Sequence, residues 1–499
     1  MMHDAPPINT SVMPAKITGA SIHQIQLKTR MPFKYGIATM TEVPMVFVRI
    51  EAEIDRTKTA GIASDLLPPK WFTKVPEDPL EKEISDMLQV IRKALSQALC
   101  QGADSAFDLW KLIYDGQSRW AEVNNIPALL ANFGTSLVER ALIEATCKAG
   151  NKTLGQALLS GSLGFEPGRI HSCLEGQSAS SLLPKTPLAK VQARHTVGLG
   201  DPLDSNQIDA DDRIDDTLPQ SLDQCIQAYG LHHFKIKING DIEWDLNRLK
   251  NVAKCIEQHA DSHFAFSLDG NEQFHSVTAF RDHWNILHAE PELETFFDHL
   301  LFIEQPLHRD VALNESLKSE FDQWPDRPAV IIDESDATIE SLPQALAIGY
   351  AGTSHKNCKG IFKGIANACL LEHHRRNGTQ TVISGEDLCN VGPVAVIQDL
   401  AVMATLGIES VERNGHHYFK GLSAWPEHVQ DAMLAYHGDL YRSHTDGYPT
   451  LRIENGRLDL TSLNAAPLGP ATDLSFEDLP EVNLAAPQAF LAAGMPSDD

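Results

Sequence analysis

Three stretches of this sequence decide its fold: Ser267-Leu-Asp-Gly-Asn-Glu272, Phe302-Ile-Glu-Gln-Pro306 and Ile331-Ile-Asp-Glu-Ser335. Each is a short apolar run that ends in a carboxylate, as expected of a buried strand with a polar end. Asp269, Glu304 and Asp333 lie 35 and 29 residues apart. A strand followed by a crossover helix takes roughly 30 residues. The spacing therefore predicts consecutive parallel strands connected by helices.

The same rhythm extends in both directions from these three stretches. Eight short apolar runs alternate with helical stretches such as 241–258 and 364–376, and we predict strands at 196–199, 233–238, 265–268, 301–303, 330–332, 352–354, 381–384 and 410–411. Eight strands with helices between them predict an α/β protein of the (β/α)8-barrel type. A doubly wound open sheet would show the same alternation.

Charged residues end these predicted strands. Lys235 and Lys237 close the second as Lys-Ile-Lys, and Lys356 follows the sixth. Glu386 and Asp387 follow the seventh. All strands of a parallel barrel end at one rim, where active sites lie.

This rim would hold Asp269, Glu304 and Asp333 side by side, and adjacent carboxylates repel one another unless a cation separates them. Oxygen ligands without His or Cys favour Mg2+, with Mn2+ as an alternative. With such an ion, a lysine could remove the proton next to a substrate carboxylate.

The residues before the barrel predict a separate α+β unit. Strands at 17–29 and 45–54 precede helices at 81–99, 105–120 and 136–148, with loops at 30–36 and 61–74. We therefore expect an N-terminal α+β capping domain over 16–160 and a barrel over 190–430. The segment 431–499 is expected to return to the cap and complete it. Residues 161–190 suit a linker or a surface excursion.

Composition limits the partners. The 67 acidic residues outnumber the 41 basic ones, which gives a formal charge of −26 and argues against nucleic acid or an acidic membrane surface. Eight cysteines without a C-x-x-C pair predict free thiols in a reducing compartment. No signal peptide or membrane span is evident. We expect a cytoplasmic homo-oligomer that binds a small carboxylate.

The ordered motifs Lys-x-Lys, Asp-x-Asn, Glu-Gln-Pro, Asp-Glu-Ser and Lys-x-x-Lys-Gly resemble the enolase superfamily. They are similar to its muconate lactonizing enzyme-like branch, the mandelate racemase/muconate lactonizing enzyme group. Segments 30–36 and 61–65 resemble the loops of that family that close over the substrate. The sequence departs from the family pattern after Lys359, where Gly360-Ile361 replaces a Gly-Gly pair. It also lacks a His after the seventh strand, which leaves the substrate open.

The resemblance implies roles for individual residues. Asp269, Glu304 and Asp333 would bind Mg2+, and Lys237 and Lys356 would be the acid/base groups on opposite faces of the substrate. Lys235 would assist electrostatically. It further implies that Asn271 and Glu334 surround the ligands. From their places at the predicted strand ends, we also expect four residues near the ligands or the substrate: His355, Glu386, Asp387 and Glu412. The cap loops would contribute Arg30, Lys34, Tyr35 and Trp71.

Several alternatives stay open at this stage. His355 is a structural imidazole or a third base, and Glu412 binds a substrate carboxylate or forms an ion pair. His416 and His417 are expected to pack the closing turn of the barrel. The expected reaction is racemisation, epimerisation or cycloisomerisation through an enediolate, with acid-sugar or other hydroxy-acid dehydration as an alternative. A non-catalytic barrel used as a binding protein is the alternative from another class.

Overall fold

The computed structural model describes residues 12–99, 101–261, 263–474 and 479–482. Its N-terminal part is an antiparallel sheet in the order β3-β2-β1-β4, covered by helices. The strands are β1 (Ala15–Tyr35), β2 (Ala38–Ile54), β3 (Thr57–Leu66) and β4 (Gly102–Ala103). The helices that follow are α1 (Leu80–Ala98), α2 (Ala106–Val123), α3 (Ala128–Ala149), α4 (Leu154–Leu159) and α5 (Ala179–Leu182).

The second part is a closed barrel of eight parallel strands. They are β5 (Lys190–Val197), β6 (His233–Lys237), β7 (Ala265–Asp269), β8 (Leu300–Glu304), β9 (Val330–Ile332), β10 (Gly352–His355), β11 (Val382–Gly385) and β12 (Ser410–Arg413). Parallel pairing of β12 with β5 closes the ring. The predicted (β/α)8 barrel with a strand-rich N-terminal cap is therefore confirmed, and the open sheet is excluded.

Helices surround this barrel. They are α6 (Leu222–Tyr229), α7 (Ile242–His259), α8 (Val277–His288), α9 (Glu294–Phe297), α10 (Arg309–Ala312), α11 (Leu317–Asp322), α12 (Ser341–Ile348), α13 (Ile361–Arg376), α14 (Ala395–Leu406) and α15 (Gly415–Tyr418). No helix within the described ranges is long and apolar enough to cross a membrane.

The chain after the barrel contacts both parts. It forms α16 (Glu427–Tyr436), β13 (Tyr441–Ser443), β14 (Pro449–Leu451) and β15 (Arg457–Asp459). β15 pairs antiparallel with β5 of the barrel. Farther on, the amide of Val482 donates to the carbonyl of Ile22 in β1. The domain boundaries at 160, 190 and 430 stay a prediction.

Helix α3 joins the cap to the barrel. Almost every residue from Leu129 to Cys147 is buried, which is typical of a helix covered on all sides. Arg140 pairs with Asp65 of the cap sheet at 2.8 Å. The preceding residue, Glu139, accepts a hydrogen bond from the backbone N–H of Phe362 in α13. This helix therefore fixes the cap to the outside of the barrel.

Two predicted loops are wrong in part. Residues 30–35 belong to β1, which pairs with β2 from Phe33 to Tyr35 and turns at Gly36. Pro32 lies in a register shift between Lys28 and Phe33, where a strand tolerates proline. Residues 61–66 likewise belong to β3, so the second loop begins only at Leu67.

Two predicted elements begin too late. The first barrel strand was expected at 196–199, but β5 spans Lys190–Val197. Arg194 and His195 interrupt its apolar run. Both are nevertheless buried, because Arg194 has its partners inside the barrel and His195 has its contacts outside it. Helix α3 begins at Ala128 and not at 136, since its first turns are buried on every face and show no amphipathic period.

Candidate active site

The rim of the barrel gathers the charged strand ends. Cα register pairs Lys237 with Asp269, and Asp269 with Glu304, across β6, β7 and β8. Lys237 Nζ lies 2.6 Å from Asp269 Oδ2. The neighbouring strand ends therefore place these side chains in direct contact, as their spacing in the sequence predicts.

Lys235 lies at the centre of this rim and is almost completely buried. Its Nζ atom is 2.8 Å from Glu304 and from Glu386, 3.0 Å from Asp269 and 3.1 Å from Glu412. Burial lowers the pKa of the ammonium, but the four carboxylates outweigh burial and raise it well above its ordinary value. Lys235 is therefore held as a positive charge among these four carboxylates.

Glu304, Asp333 and Glu386 form a compact carboxylate cluster, with one oxygen of each within 4.8 Å of the others. Among the described residues, neither buried oxygen of Glu304 accepts a hydrogen bond, although Lys235 lies 2.8 Å away. Burial, and then repulsion by Glu386, raise the pKa of Glu304 well above its ordinary value. A compact cluster of buried carboxylate oxygens that repel one another fits a hard divalent cation such as Mg2+.

Asp269 and Asp333 are held on either side of Glu304. Asp333 accepts from Lys356 at 2.6 Å and from Ser354 Oγ at 2.6 Å, and Lys359 lies 2.8 Å away. Burial raises the pKa of Asp333, but Lys356 and Lys359 outweigh it and hold the pKa well below the usual range. Asp269 has Lys235 and Lys237 as neighbours in the same way. Both carboxylates are therefore ionised and available as ligands.

Lys237 and Lys356 face each other across the barrel. They close β6 and follow β10, which are four strands apart in a ring of eight. Both line the same cavity, together with Asp269 and Asp333. A small molecule bound at these carboxylates would have one ammonium on each side.

The cap covers this cavity. Phe33, Tyr35 and Gly36 from the β1–β2 hairpin line it, as do Trp71 and Lys74 from the loop after β3. The ring centroid of Trp71 lies 5.0 Å from Lys356 Nζ. The main chain of this loop is fastened to the barrel because Arg309 donates to the carbonyls of Trp71 and Phe72.

The remaining predicted rim residues also line the cavity: Asn271, Glu334, Asp387 and Glu412. The backbone N–H of Asn271 donates to Asp269 Oδ1 at 2.9 Å. Burial and the neighbouring Asp333 raise the pKa of Glu334 to about 7. Asp387 is paired with Arg413, and its pKa is likewise raised to about 7, chiefly by burial. Glu412 accepts from Thr196 Oγ1 at 2.5 Å.

Three predicted site residues point elsewhere. Arg30 is buried in an ion pair with Asp216 at 2.6 Å and also donates to the carbonyl of His417. The side chain of Lys34 lies against Gly200, outside the cavity lining. Because residues alternate along β10, His355 faces outward, where it packs on Gly364 of α13.

Other cavity and cluster residues escaped the sequence analysis. Lys74 and Arg309 line the cavity and both pair with Glu272, at 2.5 and 2.7 Å. Arg194 of β5 pairs with Glu386 at 3.0 Å inside the barrel. The sequence did carry a signal for Arg194. A charged residue inside a barrel strand needs a partner of opposite charge on the same face of the sheet, so Arg194 predicts a carboxylate nearby. Arg309 lies in a short helix after β8 and carried none.

No family model matches the chain, and no curated protein matches it in sequence. Solved structures do match it over almost their full length. Muconate lactonizing enzyme from Pseudomonas fluorescens, complexed with muconolactone, has a TM-score of 0.58 at 14% identity, covering 93% of this chain and 98% of its own. N-succinyl Arg/Lys racemase from Bacillus cereus gives 0.54 at 15% identity, with coverages of 91% and 98%.

Dipeptide epimerase from Cytophaga hutchinsonii, complexed with Mg and the dipeptide D-Ala-L-Val, gives 0.54 at 14% identity, with coverages of 94% and 99%. These proteins share the strand-rich cap and the closed barrel. The resemblance that the rim motifs suggested is thus confirmed at the level of the fold. The chain has the same fold as these solved structures, a strand-rich cap on a closed barrel.

Proposed function

We propose that this protein is an enolase-superfamily isomerase or lyase that removes the proton next to a substrate carboxylate. The observation that carries the proposal is the pair Lys237 and Lys356, which line one cavity from opposite strands with carboxylates between them. A proton removed on one side could be returned on the other. This favours a racemase, epimerase or cycloisomerase.

The carboxylates would hold the metal. Asp269, Glu304 and Asp333 are the proposed ligands, with Glu386 close enough to Glu304 and Asp333 to replace or support one of them. Mg2+ bound there, or Mn2+ in its place, would stabilise the negative charge that develops on the substrate carboxylate.

The lysines divide the proton transfers. Lys237 and Lys356 would each take or give the proton at the substrate α-carbon, one on each face. Lys235 would stay charged between its four carboxylates and stabilise the substrate enediolate electrostatically. Trp71 and Tyr35 would close the cavity from the cap and exclude water.

Dehydration of a hydroxy acid is the second candidate, because elimination needs only one of the two lysines. Unlike racemisation, dehydration also requires an acid that protonates the departing hydroxyl group. Glu334 lines the cavity, and with a pKa of about 7 it carries a proton for part of the time. This observation keeps a lyase as the alternative.

The test is α-proton exchange of carboxylate libraries in D2O with Mg2+, followed by mass spectrometry. Wild-type protein should exchange the α-proton of its substrate. In a two-base reaction, Lys237→Ala and Lys356→Ala should each abolish turnover, and each should retain exchange of one stereoisomer. Lys34→Ala removes a lysine of the cap that does not line the cavity and is the matched control. If both active-site variants keep full turnover, the two-lysine mechanism is wrong, and a wild type without any exchange would favour a binding protein.

A further inference from the structure

A second group of metal-binding side chains lies at the first strand of the barrel, away from the rim. His195 is in β5, Cys225 is in α6, and His416 and His417 are in α15. All four are buried. One ligand atom each of His195, Cys225 and His417 lies within 4.8 Å of the other two.

This group and the carboxylate site are on opposite sides of β5. Arg194 and Thr196 point into the barrel, where they contact Glu386 and Glu412. Since side chains alternate along a strand, His195 between them points out toward the helices. The backbone of β5 therefore separates the two groups.

Two distances match tetrahedral coordination, although His416 lies outside the group of three whose ligand atoms are all within 4.8 Å of one another. Cys225 Sγ is 3.4 Å from His417 Nδ1, and His195 Nδ1 is 3.4 Å from His416 Nε2. The nitrogen pair is farther apart than in a good hydrogen bond, where about 2.7 to 3.2 Å is usual. With Zn–S near 2.3 Å and Zn–N near 2.0 Å, two ligands of tetrahedral zinc lie about 3.3 to 3.6 Å apart. Both pairs have that separation.

One buried nitrogen of the group lacks a partner in the described part of the chain, and a nearby cation is already paired. The buried Nδ1 atom of His416 has no hydrogen-bond partner within the described residues. The nearby charge of Arg30 is balanced by its ion pair with Asp216.

We propose that His195, Cys225 and His417 bind one Zn2+ ion, and that His416, which contacts His195, turns towards it as the fourth ligand of a closed structural site. Four protein ligands leave no open position for a substrate, which is typical of structural zinc. The ion would connect β5, α6 and α15 beside the point where Arg30 of the cap donates to the carbonyl of His417. Its role would be to hold the closing turn of the barrel against the first strand and the cap.

The experiment uses Co2+ as a spectroscopic probe on the full chain, first stripped of metal and kept in excess Mg2+. A cobalt ion bound to a thiolate has a sulfur-to-metal charge-transfer band in the near ultraviolet, which carboxylate ligands cannot give. We expect this band at one Co2+ per chain, its loss on addition of Zn2+, and a higher melting temperature with Zn2+ than without. Wild-type protein without the band would overturn the proposal.

Variants assign the ligands. Cys225→Ala should lose the band and bind Co2+ at least tenfold more weakly. Cys255→Ala is the matched control, because it removes a buried thiol whose Sγ donates to the carbonyl of Leu203. A band that persists in Cys225→Ala would refute the assignment. Should that variant not fold, His416→Gln keeps the sulfur and removes one imidazole, and an unchanged spectrum and affinity in His416→Gln would equally contradict the site.

Discussion

Replacing Lys235 with Met is expected to make the stability of the fold depend strongly on Mg2+. Lys235 is the only positive group in the structure's described residues that contacts all four of Asp269, Glu304, Glu386 and Glu412. Methionine keeps the length of the side chain and removes its charge. Four buried carboxylates would then share one cation fewer.

The magnitude follows from these contacts. Removing one partner of a buried ion pair costs about 3–5 kcal/mol, because the other charge is left uncompensated. Uptake of a proton by Glu304, whose pKa is already raised, would reduce that cost. Mg2+ at 100 times its dissociation constant stabilises any folded protein that binds it by about 2.7 kcal/mol. Without the ammonium of Lys235, which repels the ion, the variant should bind Mg2+ more tightly. Each tenfold gain in Mg2+ affinity adds about 1.4 kcal/mol to the stabilisation by the ion.

The assay is urea unfolding of wild type and variant, in EDTA and in saturating Mg2+. We expect the variant to be about 3–5 kcal/mol less stable in EDTA and to recover about 1–3 kcal/mol more than wild type when Mg2+ is added. Lys237→Met is the matched control, since Lys237 has an ion pair with Asp269 alone among the described carboxylates. Equal gains from Mg2+ in wild type and Lys235→Met would refute this electrostatic account.

Three further predictions concern the metal, the cap and pH. Glu304→Gln should lower turnover about 100- to 1000-fold at saturating Mg2+, because losing one group that stabilises a developing charge has an effect of that size. A variant with wild-type kcat would exclude Glu304 as a ligand. Arg30→Met should lower the unfolding free energy by about 3–5 kcal/mol through its buried pair with Asp216, and folded Arg30→Met should keep the wild-type KM. Burial raises the pKa of Glu139 from an ordinary 4.5 to about 8, although the backbone N–H of Phe362 opposes this shift. Between these two pH values the folded state binds one more proton than the unfolded state. The free energy of unfolding should therefore fall as pH rises from about 4.5 to 8. Glu139→Gln should remove that slope, worth about 1.4 kcal/mol per pKa unit, and denaturant melts at pH 5 and 8 would show whether it does.

The barrel could be predicted because its signal is carried by strand ends. Each of Asp269, Glu304 and Asp333 follows an apolar run, and nothing except a parallel sheet requires carboxylates at such intervals. The first strand was placed wrongly because its apolar period is broken by Arg194 and His195. Those polar residues are buried by partners that are distant in sequence, and periodicity cannot detect such partners.

The cap residues were harder to assign for a related reason. Arg30 and Tyr35 lie in the same hairpin, yet one pairs with Asp216 and the other lines the cavity. Five residues apart in one strand, Arg30 and Tyr35 fall on opposite faces, but alternation does not say which face covers the cavity. Sequence spacing therefore predicts which segment covers the site, but not which side chain reaches it.

Charge balance connects the fold to the proposed chemistry. The contacts at the rim link five carboxylates with five cations: Asp269, Glu304, Asp333, Glu386 and Glu412 with Arg194, Lys235, Lys237, Lys356 and Lys359. Fully ionised, this group is neutral. With Mg2+ bound and Glu304 ionised, the same residues and the ion would carry a net charge of +2. A dianionic enediolate carries the opposite charge of −2. The cluster would therefore stabilise the dianion more than the singly charged substrate from which the dianion forms.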